Sequence, residues 1–186
     1  MIILLGKTCS GKTTIAEQLC KKGYTKLVTY TSRPSRPGET DGVSYHFISR
    51  EDFEEWLSHG FFAEHTSYQT PSGETWYYGT AMQDVTDDKI AVVNMDGLRV
   101  FKNLPGIRPI AFLLHASDET ILSRLEARGD DPETAKKRLE KDTQDFQNED
   151  EINDLIDFRI INDNGSSPEE IAEIICFDVR LEGQQI

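Results

Sequence analysis

Cysteine is scarce: Cys9, Cys20 and Cys176 are odd in number and far apart. That argues against a disulfide framework and points to a reducing compartment, the cytoplasm. Positive charge is also short, with 20 Lys and Arg against 33 Asp and Glu and a net charge of -13. Such a chain lacks the basic face that displaces counterions from a nucleic-acid backbone. It is equally poor at docking on anionic lipid. No apolar run approaches a membrane span, and Met1–Leu5 is too short even for the apolar core of a signal peptide. His46, His59, His65 and His115 are scattered without ligand spacing, so no structural metal is expected. Repeats, low-complexity tracts and Gly/Ser linkers are missing too, which leaves one domain.

What is present is an ordinary globular mix, 37% hydrophobic over 186 residues. A chain of that length buries roughly 70% of its extended surface, enough for a core without staples. Charge is uneven. Residues 1–116 carry 13 acids and 12 bases, residues 117–186 carry 20 acids and 8 bases, so the front of the chain can hold a cationic site. Apolar runs predict strands at Ile2–Leu5, Lys26–Thr31, Ser44–Ile48, Phe61–Ser67, Ile90–Met95, Ile110–His115 and Phe158–Asn162. Helices are expected at Lys12–Lys22, after the Ser49/Asp52 capping box up to Gly60, at Asp118–Arg128 and Glu133–Phe146, and from Ser167 onward. Strands alternating with helices imply an α/β fold with a parallel sheet.

Gly6-Lys7-Thr8-Cys9-Ser10-Gly11-Lys12-Thr13 satisfies the phosphate-loop pattern without a mismatch, between an apolar strand and a helix. The glycines let successive N–H groups point at a β-phosphate, and the helix behind adds its positive end. Lys12 brings a mobile cation to the β/γ oxygens, the Thr13 hydroxyl suits Mg²⁺, and Thr14 follows on the helix. Cys9 reads as an inert small residue of the loop.

Arg33 and Arg36 stand three apart, stiffened by Pro34 and Pro37, with Tyr45 downstream. Guanidinium forks suit a phosphate dianion, although such a loop taken alone is more often a solvated turn. Asp96 ends the predicted strand Ile90–Met95, placed to contact a metal or its bound water or, on the substrate-binding side, to orient the arginine clamp; a cap on a helix beginning at Gly97 is the other reading. Arg124 and Arg128 lie four apart on one helix face, and Arg138 follows.

The stretch Thr31-Ser32-Arg33-Pro34-Ser35-Arg36-Pro37-Gly38-Glu39 with Asp41–Phe47 resembles the acceptor segment of guanylate kinases. The likeness continues through Gly60-Phe61-Phe62-Ala63-Glu64, Tyr77-Tyr78-Gly79-Thr80, Ala111-Phe112-Leu113-Leu114, Arg124-Leu125-Glu126-Ala127-Arg128-Gly129 and Ile160-Ile161-Asn162-Asp163. The resemblance implies a P-loop kinase fold: a core over 1–31, 81–128 and 147–186, an acceptor segment over 32–80 and a lid over 129–146. It implies Mg-ATP as donor and GMP or dGMP as acceptor, with neither nucleic acid nor membrane as partner. Arg33, Arg36, Tyr45 and Tyr78 would hold the acceptor phosphate. Glu64 would read the guanine N1–H and 2-amino group, with Thr29 and Thr80 near O6 and N7. Arg124 and Arg138 would close on the transferring group, and Arg128 would flank the adenine with Asn162. Departures are the His65–Trp76 connection, longer than the family's usual one, Asn94 where many members carry Asp, and an acidic, short lid. A kinase of the same scaffold with another nucleotide or a phosphorylated sugar as acceptor, a non-catalytic interaction module and a P-loop switch are the alternatives.

Overall fold

Four apolar residues, Ile2–Leu5, form β1 and are all buried, which is what a strand covered on both faces requires. The computed structural model describes residues 1–36, 38–70, 73–129, 139, 140, 142–144 and 146–183. These divide into two units, one of residues 1–26, 87–103 and 108–186, the other of 27–86 with 104–107.

In the first unit β1 is the middle of a five-stranded sheet. Thr25–Lys26 (β2), Lys89–Val92 (β7), β1, Ile110–His115 (β8) and Phe158–Ile161 (β9) lie side by side in that order, every pair parallel. Helix α1 (Lys12–Lys21) buries Ile15, Ala16 and Leu19 against Ile171, Ala172, Ile175 and Cys176 of the last helix, Pro168–Gly183, closing one core over Phe112 and Leu114. Ser117 caps Asp118–Arg128 by accepting from the Thr120 N–H. The three thiols are free. Among the described residues no helix is long and apolar enough to cross a membrane.

The second unit has its own four-stranded sheet: His46–Phe47 (β4), Tyr30–Thr31 (β3), Thr75–Ala81 (β6) and Phe62–Gln69 (β5), in that order. Its core is aromatic. Phe53, from the helix Arg50–Ser58, stacks on Phe62 at 4.3 Å and on Tyr77 at 5.3 Å, while Tyr30 meets His46, Trp56, Phe61 and Phe62. Gly79 lies under that stack, where a Cβ would come within 2.9 Å of both Phe53 and Phe62. Gly79→Ala is therefore expected to cost about 1–3 kcal/mol through overpacking, readable as a lower urea midpoint at an unchanged slope.

Several expectations are corrected. Lys26–Thr31 is not one strand: Thr25 and Lys26 pair with β7, whereas Tyr30 and Thr31 pair with β6 and β4 of the other sheet. Residue type reports that a segment is extended but not which partner it finds. The His65–Trp76 connection is largely the paired arms of a hairpin, in register from Glu64↔Thr80 to Gln69↔Thr75. The strand placed at Ile90–Met95 ends at Val92, and Asn94 caps a helix over Met95–Lys102 (α3) by accepting from the Gly97 N–H. Asp96 thus sits in the first turn of α3 rather than at a strand end. The helix Glu149–Leu155 (α5) was hidden by its acidity; Glu149, Asp150 and Glu151 fill its first turn, where the helix dipole favours acids. The helix expected over Glu133–Phe146 lies partly outside the described residues; of these, 139–140 and 142–144 are helical.

Candidate active site

The loop between β1 and α1 carries Gly6, Lys7, Thr8, Cys9, Ser10 and Gly11. Gly11 begins α1 at φ +95°, and a Cβ there would fall 2.1 Å from the Asn162 amide nitrogen. Only glycine fits both restrictions. Cys9 adopts φ +58°, uncommon outside glycine and typical of a backbone bent for a purpose. Lys12 Nζ donates to the carbonyls of Gly6 (2.7 Å) and Lys7 (2.8 Å). Burial lowers the Lys12 pKa, while the nearby Asp142 and Cys9 pull it back up. Lys7 also reaches Asp118 at 3.7 Å.

Two long-range donors fix the loop's shape. Asn162, 4% exposed at the end of β9, gives its side-chain N–H to the Ser10 carbonyl at 2.8 Å. Arg124 gives Nη1–H to the Cys9 carbonyl at 3.1 Å. Beside them a cleft of about 460 Å³ is lined by Lys12, Thr13, Thr14, Arg128, Ser166 and Pro168, along with Cys9, Gly11, Arg124 and Asn162. Most of the donor-side residues singled out in the sequence thus meet at one cleft, Gly6, Lys7, Thr8 and Ser10 standing outside its lining, and Asn162 and Arg124 brace the loop as well as lining it. Arg138, expected to act on the transferring group, lies outside the described residues.

Asp96 lines another groove, with Asn94, Arg99, Gln144, Asn148 and Glu151. Its carboxylate pairs with Arg99, whose Nε and Nη2 also donate to Glu151 of α5. Asp96 is thus tied to Arg99 three residues on, and through it to Glu151, a partner 52 residues from Arg99 that sequence spacing does not single out.

In the second unit Arg33 is 4% exposed and its guanidinium is fully engaged. Nη2 donates to both oxygens of Glu39 (2.7 and 2.9 Å), Nη1 to the Pro34 carbonyl, and the group lies 5.3 Å from the centre of the Tyr45 ring. Tyr78 bears electrostatically on Arg33, and the Tyr45 and Tyr78 rings stand 6.1 Å apart. Glu39 accepts from the Arg36 backbone N–H as well; the Arg33 bonds first, then this one, hold its carboxyl below the usual range. The Arg36 side chain is exposed. Arg33, Tyr45 and Tyr78 therefore form one cluster with a carboxylate in its fork. Glu39 was missed as a functional group, although it lies only three residues beyond Arg36.

Glu64 stands opposite Thr80 on the hairpin, just past the irregularity between Phe62 and Glu64. Its Oε1 accepts from the Thr80 hydroxyl at 2.7 Å, and Thr80 is 1% exposed. Thr29 is half-buried at the entrance to β3, its carbonyl accepting from the His46 N–H. Glu64 and Thr80 are thus a joined pair.

Residues 1–175 match the family model described as guanylate kinase. A guanylate kinase of Nostoc sp. is 33% identical over 188 residues, covering 95% of this chain and 89% of its own length. One from Neisseria meningitidis serogroup A is also 33% identical, covering 97% of this chain and 88% of its own length. Among solved structures, guanylate kinase from Anaplasma phagocytophilum shares the fold at TM-score 0.68 and 22% identity, over 98% of this chain and 85% of its own. The intact phosphate loop, the arginine–tyrosine cluster and the Glu64–Thr80 pair now stand on a chain matched along nearly its whole length, which belongs to the guanylate kinase family.

Proposed function

We propose that this chain transfers the γ-phosphoryl group of ATP to the phosphate of GMP or dGMP, giving ADP and the nucleoside diphosphate, in the cytoplasm. The observation that carries the reading is that Lys12 and Thr13 are intact in a phosphate loop while the second unit presents Glu64 and the Arg33–Tyr45–Tyr78 cluster. Residues 32–80 supply the acceptor segment and 129–146 a lid in this reading.

The attacking oxygen of a nucleoside monophosphate is already anionic, so no general base is needed. Catalysis is positioning and charge neutralisation. Lys12 exchanges the Gly6 and Lys7 carbonyls for phosphate oxygens. Arg124 carries a second positive charge beside the loop, and Arg128 flanks the donor base. Arg36, whose side chain is exposed, joins Tyr45 and Tyr78 on the acceptor phosphate, with Arg33 behind them held by Glu39. Glu64, oriented by Thr80, accepts from the two adjacent guanine donors, and Thr29 lies toward the far edge of the base.

Magnesium fits the donor side, where the Thr13 hydroxyl at the first turn of α1 is an exposed hard oxygen lining the cleft. The metal would neutralise charge on the β- and γ-oxygens. Asp96, tied to Arg99, is left out of that ligand set.

The test is a coupled assay of Mg-ATP turnover against GMP, dGMP, AMP, UMP and dTMP. Turnover confined to the guanine nucleotides is the expected result. No transfer to any of the five sinks the reading, and a preference for a pyrimidine or adenine nucleotide moves it to another acceptor.

A further inference from the structure

One contact at the phosphate loop has no part in the scheme above. The Thr8 backbone N–H donates to a carboxylate oxygen of Asp142, 134 residues away in sequence. Loop N–H groups of this kind are the donors that cradle a nucleotide's phosphates, and a carboxylate oxygen presents them with the same hydrogen-bonding character as a phosphoryl oxygen. We infer that Asp142 is an internal anion of the donor site, standing on the loop in the place of a phosphate oxygen, and that ATP must displace it to bind.

Three observations carry this beyond a chance surface contact. Asp142 accepts from the Thr8 N–H, and its charge also reaches the Lys12 ammonium. Described residues on either side of it also border the loop's surroundings. Leu139 packs with Cys9 against the cluster of Ala116, Ile121 and Leu125, and Thr143 and Phe146 line a cavity with Lys7, Leu114 and Ile152. Finally, the site has no need of this acid for transfer, because a carboxylate among triphosphate oxygens is repulsive. Its contribution is made in the free chain, where it accepts from a loop N–H and lies near enough for its charge to bear on a cation drawn out of water.

The consequence follows from competition. If Asp142 holds the loop in nine molecules out of ten, the apparent affinity for ATP is reduced about tenfold, in proportion to the open fraction. Neutralising the acid restores the difference. The inference rests on the donor-site reading above and concerns its affinity alone.

The experiment is calorimetric titration of wild type, Asp142→Asn and Asp142→Ala with Mg-ATP, Mg-ADP and magnesium pyrophosphate, without acceptor. Both variants are expected to bind ATP and pyrophosphate about tenfold more tightly than wild type. The asparagine variant keeps the shape of the side chain, so a gain shared by both variants comes from the lost charge and not from repacking. Equal or weaker binding in the variants overturns the inference while leaving the kinase reading intact, provided that wild type binds ATP. If neither wild type nor variant takes up ATP, the donor-site reading falls and the inference with it.

Discussion

Lys12→Met is expected to lower kcat for ATP and GMP by about 10²–10³-fold while shifting the melting temperature by no more than a few degrees. The size of the first effect comes from where the ammonium is spent. In the free chain it is bonded to two loop carbonyls, Gly6 and Lys7, in a partly buried place that depresses its pKa. These bonds keep the side chain folded back beside the anion position, so its reorganisation during transfer is small. Preorganised cations of this kind act on charge that develops only in the transition state, which is why their loss falls on kcat. The small second effect has the same origin. Methionine gives up two hydrogen bonds to carbonyls, but it also removes the desolvation of a charge, and the two oppose each other. Steady-state rates with a melting curve on each protein decide the matter. A kcat within tenfold of wild type would show that the loop is not where the phosphoryl group is handled.

The donor half of that picture was legible in the chain because its signal is local. Eight contiguous residues state the loop, and the strand and helix on either side of it, Ile2–Leu5 and Lys12–Lys21, have the apolar pattern and the glycine that their lengths require. Ile110–His115 and Asp118–Arg128 are recovered with the same bounds because their signals are also local, a continuous apolar run and then a helix, which the structure shows to be capped by Ser117. Legibility ends where the partner is remote. Lys26–Thr31 is one extended run whose two ends pair in different sheets, and nothing in its own residue types separates them. The His65–Trp76 arms are rich in Thr, Ser, Gln and Glu because most of β5 is exposed, and such a strand lacks the alternation that betrays one resting on a core. The same limit applies to charges. That Glu151 binds Arg99 and that Asp142 meets Thr8 are facts of folding between groups 52 and 134 residues apart, and even Glu39, six residues from Arg33, fills its fork only because the loop turns back. An acid in a sequence announces itself as an acid, not as bound.

Glu64→Gln is the sharpest test of the acceptor site, because the substitution is nearly isosteric and changes only what the group offers to hydrogen bonds. The carboxylate is set on β5 opposite Thr80, whose buried hydroxyl donates to one of its oxygens. That bond fixes the side chain's rotamer and leaves the remaining acceptor capacity for a ligand. In the proposed reading guanine would meet it with two adjacent N–H donors, whereas adenine has no such pair along that edge. A glutamine in the same position can still accept from Thr80, but its free end is then an NH₂ that faces the guanine donors as a like group and can donate to the adenine N1 acceptor. Sites built to hydrogen-bond a substrate discriminate strongly, because the wrong partner leaves buried polar groups unpaired. Losing two charge-assisted bonds of about 1.5–3 kcal/mol each corresponds to about 10²–10⁴-fold in kcat/KM for GMP, with AMP use rising from its low level. The loss falls on the acceptor side alone, so Mg-ATP affinity measured without acceptor stays as in wild type. Rates on GMP and AMP for the two proteins give the ratio directly. A GMP-to-AMP preference that stays within a few-fold of the wild-type value would remove Glu64 from base recognition and leave it as the partner of Thr80 in the hairpin.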